Sequence, residues 1–435
     1  MLLSSRKSSE GNASTPTSFD ITFLKLYSNV IKPEKNYNID IKALVPVIEG
    51  IESLYSPSII YSLKVVDSFN LLEQLKITGG EKIEFGIQQK LKDKTHKYKI
   101  ECYVSDIVNY IKTGPATASY TIKAVSKQMR NESATMLKRA FNGTPGTLIK
   151  KICKSDLEVT PHHINETSSK QVQGIYPRVR PLHAIMWLTR NSYDNGTPFY
   201  FYETLRDGLH YKSYKEMLDE DPIDEYVYKS FQKDPVETTA GFEEERLRVR
   251  ELSSPEYGLS RYADISRGAF GSTLHEIDIS TKQYNQITFD AEKNRLQYLN
   301  PNKINVNNQN TLIKSRHANE LPDAKNFFIS KNSKAYNGNN YYSQSDIQMQ
   351  KAIAQKERLH SQEIRLVITG NYDISVGKKI KLKVMRQKPE IEGSGKDKAL
   401  SGIYLVTQVH HQFEEGYIME LMIQKDSGEL NYETA

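Results

Sequence analysis

Two cysteines in 435 residues, Cys102 and Cys153, are too few for a disulfide framework or a cysteine-rich zinc site. Such a chain is at ease in a reducing cytoplasm. Long apolar runs are missing too. No stretch approaches the roughly 18 to 20 residues that a membrane-spanning helix needs, so no membrane insertion is expected. The opening MLLSSRKSSEGNASTPTS has too short an apolar region for a secretory signal, and residues 1–17 read as a flexible Ser/Thr-rich arm. Charge of one sign is also scarce: 59 basic against 53 acidic residues leave +6. Basic pairs such as Lys150-Lys151 and Lys378-Lys379 are diluted by acids elsewhere, whereas a sequence-reading DNA binder concentrates a basic face.

What is present is enough apolar material to form cores. Hydrophobic residues make up 38% of the chain, and a mean hydropathy of -0.60 fits a soluble protein of about two to four compact units. The clearest patterning lies in residues 363–427. Ile364, Leu366 and Ile368 alternate on one strand face, and Ile380, Leu382 and Val384 on the next. Gly370-Asn371 and Gly377-Lys378 stand where the chain must turn, since both residue types tolerate positive φ. Beyond Gly393-Ser394-Gly395, Ile403, Leu405 and Thr407 alternate with Tyr404, Val406 and Gln408, and Ile418 to Ile423 form the last strand. Four or five short antiparallel strands in about 65 residues make a small barrel or sandwich.

Two further segments carry distinct patterns. In VVDSFNLLEQLKITGGEKIEFGIQ, from Val65, Asp67 or Ser68 can cap a helical turn beginning at Asn70, and Gly79-Gly80 lets the chain reverse before a strand at Ile83 to Ile87. In RPLHAIMWLTRN and the TPFYFYETLRDGLHYKSYKEML that follows, a short helix with Trp187 leads into an aromatic strand pair at 199–213 and a second helix. Between these segments SKQMRNESATMLKRAF places Met129, Met136, Leu137 and Phe141 at helical spacing, and Pro145 suits the first turn of a helix. Residues 229–258 are charged and read as helical in part. SRGAFGSTLHEIDISTK at 266–282 reads as a strand pair with Leu274, Ile277 and Ile279 as its apolar members, and residues 345–362 as a helix with Ser345 as cap.

These three segments together resemble the baseplate hub proteins of contractile-tailed bacteriophages, the myovirus hubs related to the spike base of type VI secretion. In the last segment the likeness rests on Gly370, Gly377, Ser401, Gly402, Tyr404, Val406, Thr407, His410, Asp426 and Ser427. In the first it rests on Asp67, Ser68, Leu72, Gly79 and Glu81. In the middle it rests on Ala184, Ile185, Trp187, Leu188, Phe201, Tyr202, Glu203, Thr204, Gly208, His210, Tyr211 and Ser213. The resemblance implies an α+β, mainly β chain: two tail-tube-like small antiparallel β-barrel domains plus a mixed α/β middle domain. The divisions expected are 18–125 for the first barrel, 126–257 for the middle domain, 258–284 with 345–430 for a discontinuous second barrel, and 285–344 for a polar insertion.

The resemblance further implies a structural role in the virion tail, after assembly in the host cytoplasm. A homotrimer would join the sixfold tail tube, or a tube-initiator protein, to the threefold central spike, with baseplate wedge proteins as further neighbours. DNA would pass through without specific binding. No catalytic, metal or cofactor residue is implied. Two readings stay beside it: the spike base of a type VI secretion or extracellular contractile injection system, and a hub-associated cell-wall hydrolase.

Patterns that suggest catalysis or metal binding have plainer explanations in this sequence. His162-His163 and His410-His411 are neighbours that point to opposite faces of a strand and cannot chelate one ion together, and His410 is expected to end a strand at an interface. The glycines at 370 and 377 lack the G-x-x-x-x-G-K-[ST] spacing of a phosphate loop, Lys379 standing at the Ser/Thr position. Glu243 to Glu245 followed by Arg246 and Arg248 is more often a solvated helix face. Trp187 and Phe199 to Tyr202 fit core packing better than a ligand platform.

Overall fold

Period-two alternation makes strand the commonest element of the chain. The computed structural model describes residues 17–31, 36–91, 94–115, 117–166, 170–229, 244–254, 261–294, 296–300, 312–313, 316–317, 320–332, 347–360, 362–385, 395–397 and 399–427. The first half holds β1 (Asp20–Tyr27), β2 (Asn38–Asp40), β3 (Val47–Ser53), β4 (Ile60–Asp67), helix α1 (Leu71–Leu75), β5 (Lys82–Leu91), β6 (Lys94–Lys112) and β7 (Ala118–Val125). Leu63 and Val65 of β4 and Tyr120, Ile122 and Ala124 of β7 point inward and are buried, with Lys64, Val66 and Thr121 on the other face.

The middle of the chain is mixed. It contains α2 (Lys127–Glu132), β8 (Ala140–Gly143), α3 (Pro145–Ser155), β9 (His163–Ile164), β10 (Val172–Ile175), α4 (Pro181–Arg190), β11 (Tyr193–Asp194), β12 (Thr197–Thr204), β13 (Gly208–Ser213) and α5 (Tyr214–Asp219). Proline opens both α3 and α4, where its missing N–H is no loss. A separate core forms from Ile149 and Ile152 of α3, Ile185 and Leu188 of α4, and Phe199, Phe201 and Tyr211 of the strands. The helix expected over 126–141 differs: it stops at Glu132, and Phe141 lies in β8. Ser133 and Thr135 hydroxyls bond back to the carbonyls of Arg130 and Asn131, competing with the helical ladder, and Leu137 bridges to Val179 instead.

Next come β14 (Glu225–Tyr228) and β15 (Val249–Ser253), then α6 (Arg261–Arg267), β16 (Gly271–Asp278), β17 (Gln283–Asp290), β18 (Leu312–Ile313), β19 (Arg316–His317), β20 (Asn326–Lys331) and α7 (Ile347–Leu359). The chain ends in β21 (Gln362–Thr369), β22 (Lys379–Val384), β23 (Gly402–Phe413) and β24 (Tyr417–Lys425). The 266–282 segment is a single strand, β16, and it lies outside the second barrel: it pairs with β17 and, in parallel, with β20 in a sheet of its own. Leu274 is fully buried, while Ile277 and Ile279 are exposed. Most of β17 is exposed as well and carries little alternation to read, while β20 alternates only between exposed and half-buried positions. Helix α7 fixes this sheet to the body, the Gln350 amide donating to Ser272 O and Arg358 Nε to Ala269 O. Ser345 and the Glu243 end of the acidic run lie outside the described residues. Arg246 is no solvated residue: it is buried against Asp224 at 2.9 Å.

The two barrel halves form one continuous sheet in the order β15-β21-β24-β23-β3-β4-β7-β6-β5-β1-β2, with β22 beside β23 and β14 beside β22. The second half closes on itself, because Val227 of β14 bridges to Arg248 just before β15. A duplication is visible in this topology. The run β3-β4-β7-β6-β5 of the first half matches β15-β21-β24-β23-β22 of the second. Hydrogen bonds repeat in detail: Gly80 N to Val104 O is 2.8 Å and Val104 N to Glu81 O is 2.9 Å, while Gly377 N to Val406 O and Val406 N to Lys378 O are both 2.9 Å. A bulge follows Val104 in β6 and Val406 in β23.

Candidate functional site

The halves meet where β23 pairs with β3, from Gln408 opposite Ser53 to Phe413 opposite Ile48. Alternation turns Glu52 inward beneath this seam, and it is almost fully buried. One oxygen accepts from the Leu205 N–H of the β12–β13 turn, and the other from Val376 N at 3.2 Å, in the turn before β22. His411 Nε2 of β23 lies 3.2 Å from the same carboxylate, and its Nδ1 lies 2.8 Å from the Tyr417 hydroxyl. A single side chain therefore ties together the first half, the middle domain and the second half. The signal in the sequence was parity: in VIEGIES, Glu52 shares a face with Ile48. His410 sits on the outer face, inside β23 rather than at its end, 3.9 Å from Glu49.

The residues of the family likeness are spread along the chain, and most fasten backbone. Asp67 accepts from Phe69 N at 2.9 Å, Leu71 N at 2.8 Å and the Tyr120 hydroxyl at 3.1 Å, capping α1, whereas Ser68 is exposed. Glu81 is fully buried and accepts from Thr78 N at 2.7 Å and Gly79 N at 2.9 Å, with Gly79 at φ +108. Ser401 Oγ accepts from Val384 N at 3.0 Å, and Gly402 turns the chain at φ +144 into β23, where the Tyr404 hydroxyl donates to Leu400 O at 2.7 Å. Buried Asp426 accepts from the Tyr214 hydroxyl at 2.9 Å, Leu299 N at 3.0 Å and Ser427 Oγ at 2.7 Å, and burial pushes its carboxyl above the ordinary range. Ala184, Ile185 and Leu188 are core, and Trp187 lies edge-on to Phe141. Gly208 forms the β12–β13 turn at φ +84, and Gly377, at φ +80, lies so close that a Cβ would meet the Tyr202 hydroxyl at 2.5 Å.

Glu203 joins β12 to the first half, accepting from Ile59 N at 2.8 Å and from the Ser126 hydroxyl. Burial pushes its carboxyl up from 4.5 to about 7, against the pull of those donors. A raised carboxyl favours the fold while protonated, so its contribution is full below about pH 4 and falls as pH rises to about 7. Glu203→Gln is expected to remove this dependence, making the unfolding free energy less sensitive to pH between about 4.5 and 7 by up to ~1 kcal/mol per pH unit at the steepest point, with a correspondingly flatter melting temperature. Parallel thermal melts of the two proteins across that range, showing identical slopes, would sink this assignment.

His162, His163 and His210 come together despite the expected opposition of the pair, because His162 precedes the two-residue strand β9. With Tyr202, Lys212 and Lys378 they line a cavity of about 110 Å³ between the middle domain and the second half. Burial pushes His210 down to about 3, so it is neutral. Among the described residues no group of three or more His, Cys, Asp or Glu could hold a metal ion.

The outer face of the long sheet carries charges of both signs set beside one another. Arg365 Nη2 donates to Glu420 at 2.6 Å, His410 faces Glu49, and Lys123 stands opposite both Ser62 and Asp106. No protein-family model matches the sequence, and no curated protein matches it. Solved structures do. A tail protein from Neisseria meningitidis MC58 superposes with a TM-score of 0.54 over 94% of this chain and 97% of that one, at 8% identity. The 43 kDa tail protein of prophage MuSo2 from Shewanella oneidensis gives 0.53 over 94% and 99%, at 11% identity. The chain has the fold of phage tail proteins. A type VI secretion component from E. coli overlaps more loosely, with a TM-score of 0.43 at 10% identity over 96% of this chain and 79% of that one. The tail-protein fold agrees with the hub resemblance read from the sequence, and it accounts for the mainly β, antiparallel architecture.

Proposed function

We propose that this chain is a structural baseplate hub of a phage tail, acting as a homotrimer that joins a sixfold tail tube to a threefold central spike. The observation that carries the reading is the pair of matching five-strand runs joined through β23 and β3 in a chain with the tail-protein fold. Three copies of such a pair present six similar barrels to a sixfold tube while keeping threefold symmetry toward a spike. The barrels would be residues 18–125 and the closing strands β21 to β24, with β14 and β15 joining the second. The action is mechanical, without turnover, in the virion tail after assembly in the host cytoplasm. Tube or tube-initiator protein, spike and wedge proteins are its neighbours. Mixed charge on the outer face suits a conduit wall past which DNA moves, since a surface that neutralised phosphates would hold the strand.

Native mass spectrometry and class averages of the full chain, alone and with the phage's candidate spike protein, test this. Three chains of 49.9 kDa should give a threefold ring of about 150 kDa with an open centre. A chain that stays monomeric at micromolar concentration even with the spike would overturn the reading. Release of peptidoglycan fragments by the purified protein would favour the hydrolase.

A further inference from the structure

We propose that the outer edge of β6 in one copy pairs with β15 of a second copy, repeating between chains the β23·β3 seam that joins the two halves within one chain. The inference rests on the trimeric ring proposed above and names the strands that close it.

The duplication makes β6 the counterpart of β23 and β15 the counterpart of β3. Along Gln408 to Phe413, β23 has two neighbours, β24 and β3. Past the bulge at Val104, β6 has one: Asp106 to Lys112 pair with β7, through a second irregularity between Val108 and Ile111 that β23 lacks, and among the described residues no strand lies on their other side. In the same way Glu251 to Ser253 of β15 pair with β21 alone, because the bridge to β14 falls earlier, at Arg248. Each half thus leaves open the edge that its counterpart uses. An open edge of this length invites pairing. Its apolar side chains are also out of place in water, with Tyr110 56% and Ile111 60% exposed.

The register follows from the same equivalence. Ile111 opposite Ser119 corresponds to Gln412 opposite Ile418, and Ser253 opposite Arg365 corresponds to Glu49 opposite Ser62. Gln412 faces Glu49 across the internal seam, so Ile111 of one copy faces Ser253 of the next. Lys112 then faces Leu252, as Phe413 faces Ile48. The contact is heterologous, head to tail, and must close into a ring to leave no free edge.

The test places Ile111→Cys and Ser253→Cys together in the full chain and applies mild oxidation, with a short bismaleimide as a second reagent. Directly opposed strand residues lie about 4.5 to 5.5 Å apart at Cα, within reach of a disulfide. The native thiols give no background: both cysteines are buried, and burial pushes Cys153 up to about 12. The double variant is expected to form covalent dimers and trimers, and each single variant none. Self-linking of Ile111→Cys alone would show an isologous contact and overturn the seam. Hydrogen exchange of the unmodified protein gives a second readout: amides of 106–112 should be as protected in the assembled ring as those of 408–413. A native trimer whose double variant does not cross-link and whose 106–112 amides exchange freely would overturn the seam and leave the hub reading standing. An unmodified chain that is never trimeric would overturn the hub reading itself.

Discussion

Glu52→Ala is expected to destabilise the chain by about 3 to 5 kcal/mol, the usual cost of deleting one partner of a buried polar pair. The substitution leaves the N–H groups of Leu205 and Val376 and the Nε2 of His411 facing an emptied, buried site. Those groups belong to the middle domain, the second half and the seam, so the loss is shared by all three. The first unfolding transition in urea should move to lower concentration, and amides around Leu205 and Val376 should exchange faster. Glu52→Gln keeps an acceptor and is expected to lose roughly half as much. A midpoint unchanged within error for Glu52→Ala would mean that the three parts are held by apolar packing alone.

This seam shows why some of the architecture was legible in the sequence and some was not. Strands β21 to β24 alternate because one face is core and the other is not, and that two-sided environment writes itself into Ile364, Leu366, Ile368 and their neighbours. Local loops were legible for the same kind of reason: Asp67 and Glu81 bond to N–H groups within four residues of themselves. Strands β14 and β15 are four and five residues long and lie in a charged stretch, and they become strands only because β22 and β21 offer them edges. No local pattern encodes such a partner. The duplication was equally hidden, since it survives in hydrogen bonds such as those at Gly80 and Gly377, which need backbone geometry and spare the side chains. Glu52 looked like any glutamate in an alternating strand. Its partners are 153 and 324 residues away along the chain, so only the fold could reveal its role.

Gly370→Ala is expected to cost about 3 kcal/mol, at the upper end for an overpacked core. The sequence suggested a turn glycine needing positive φ, but Gly370 is not among the residues in that region. The constraint is packing: a Cβ there would stand 2.2 Å from two ring carbons of Tyr417, which is fully buried. The ring cannot move freely. Its hydroxyl lies 2.8 Å from His411, its backbone N–H donates to Thr17 O, and Gly370 N donates to its carbonyl at 2.9 Å. Gly79 provides the contrast, having φ +108 with nothing within 4 Å of an added Cβ, so Gly79→Ala should cost only about 1 kcal/mol of backbone strain. Urea unfolding of the two variants measures the difference. Combining Gly370→Ala with Tyr417→Leu, which removes the obstructing ring, should recover part of the loss, because residues in contact do not act additively. If the double variant is instead as weak as the sum of the singles, the ring is not what excludes a side chain at 370. A tolerated Gly370→Ala would mean that Tyr417 shifts, and the shift should then appear at its neighbour as altered imidazole NMR resonances of His411, whose Nδ1 lies against the Tyr417 hydroxyl.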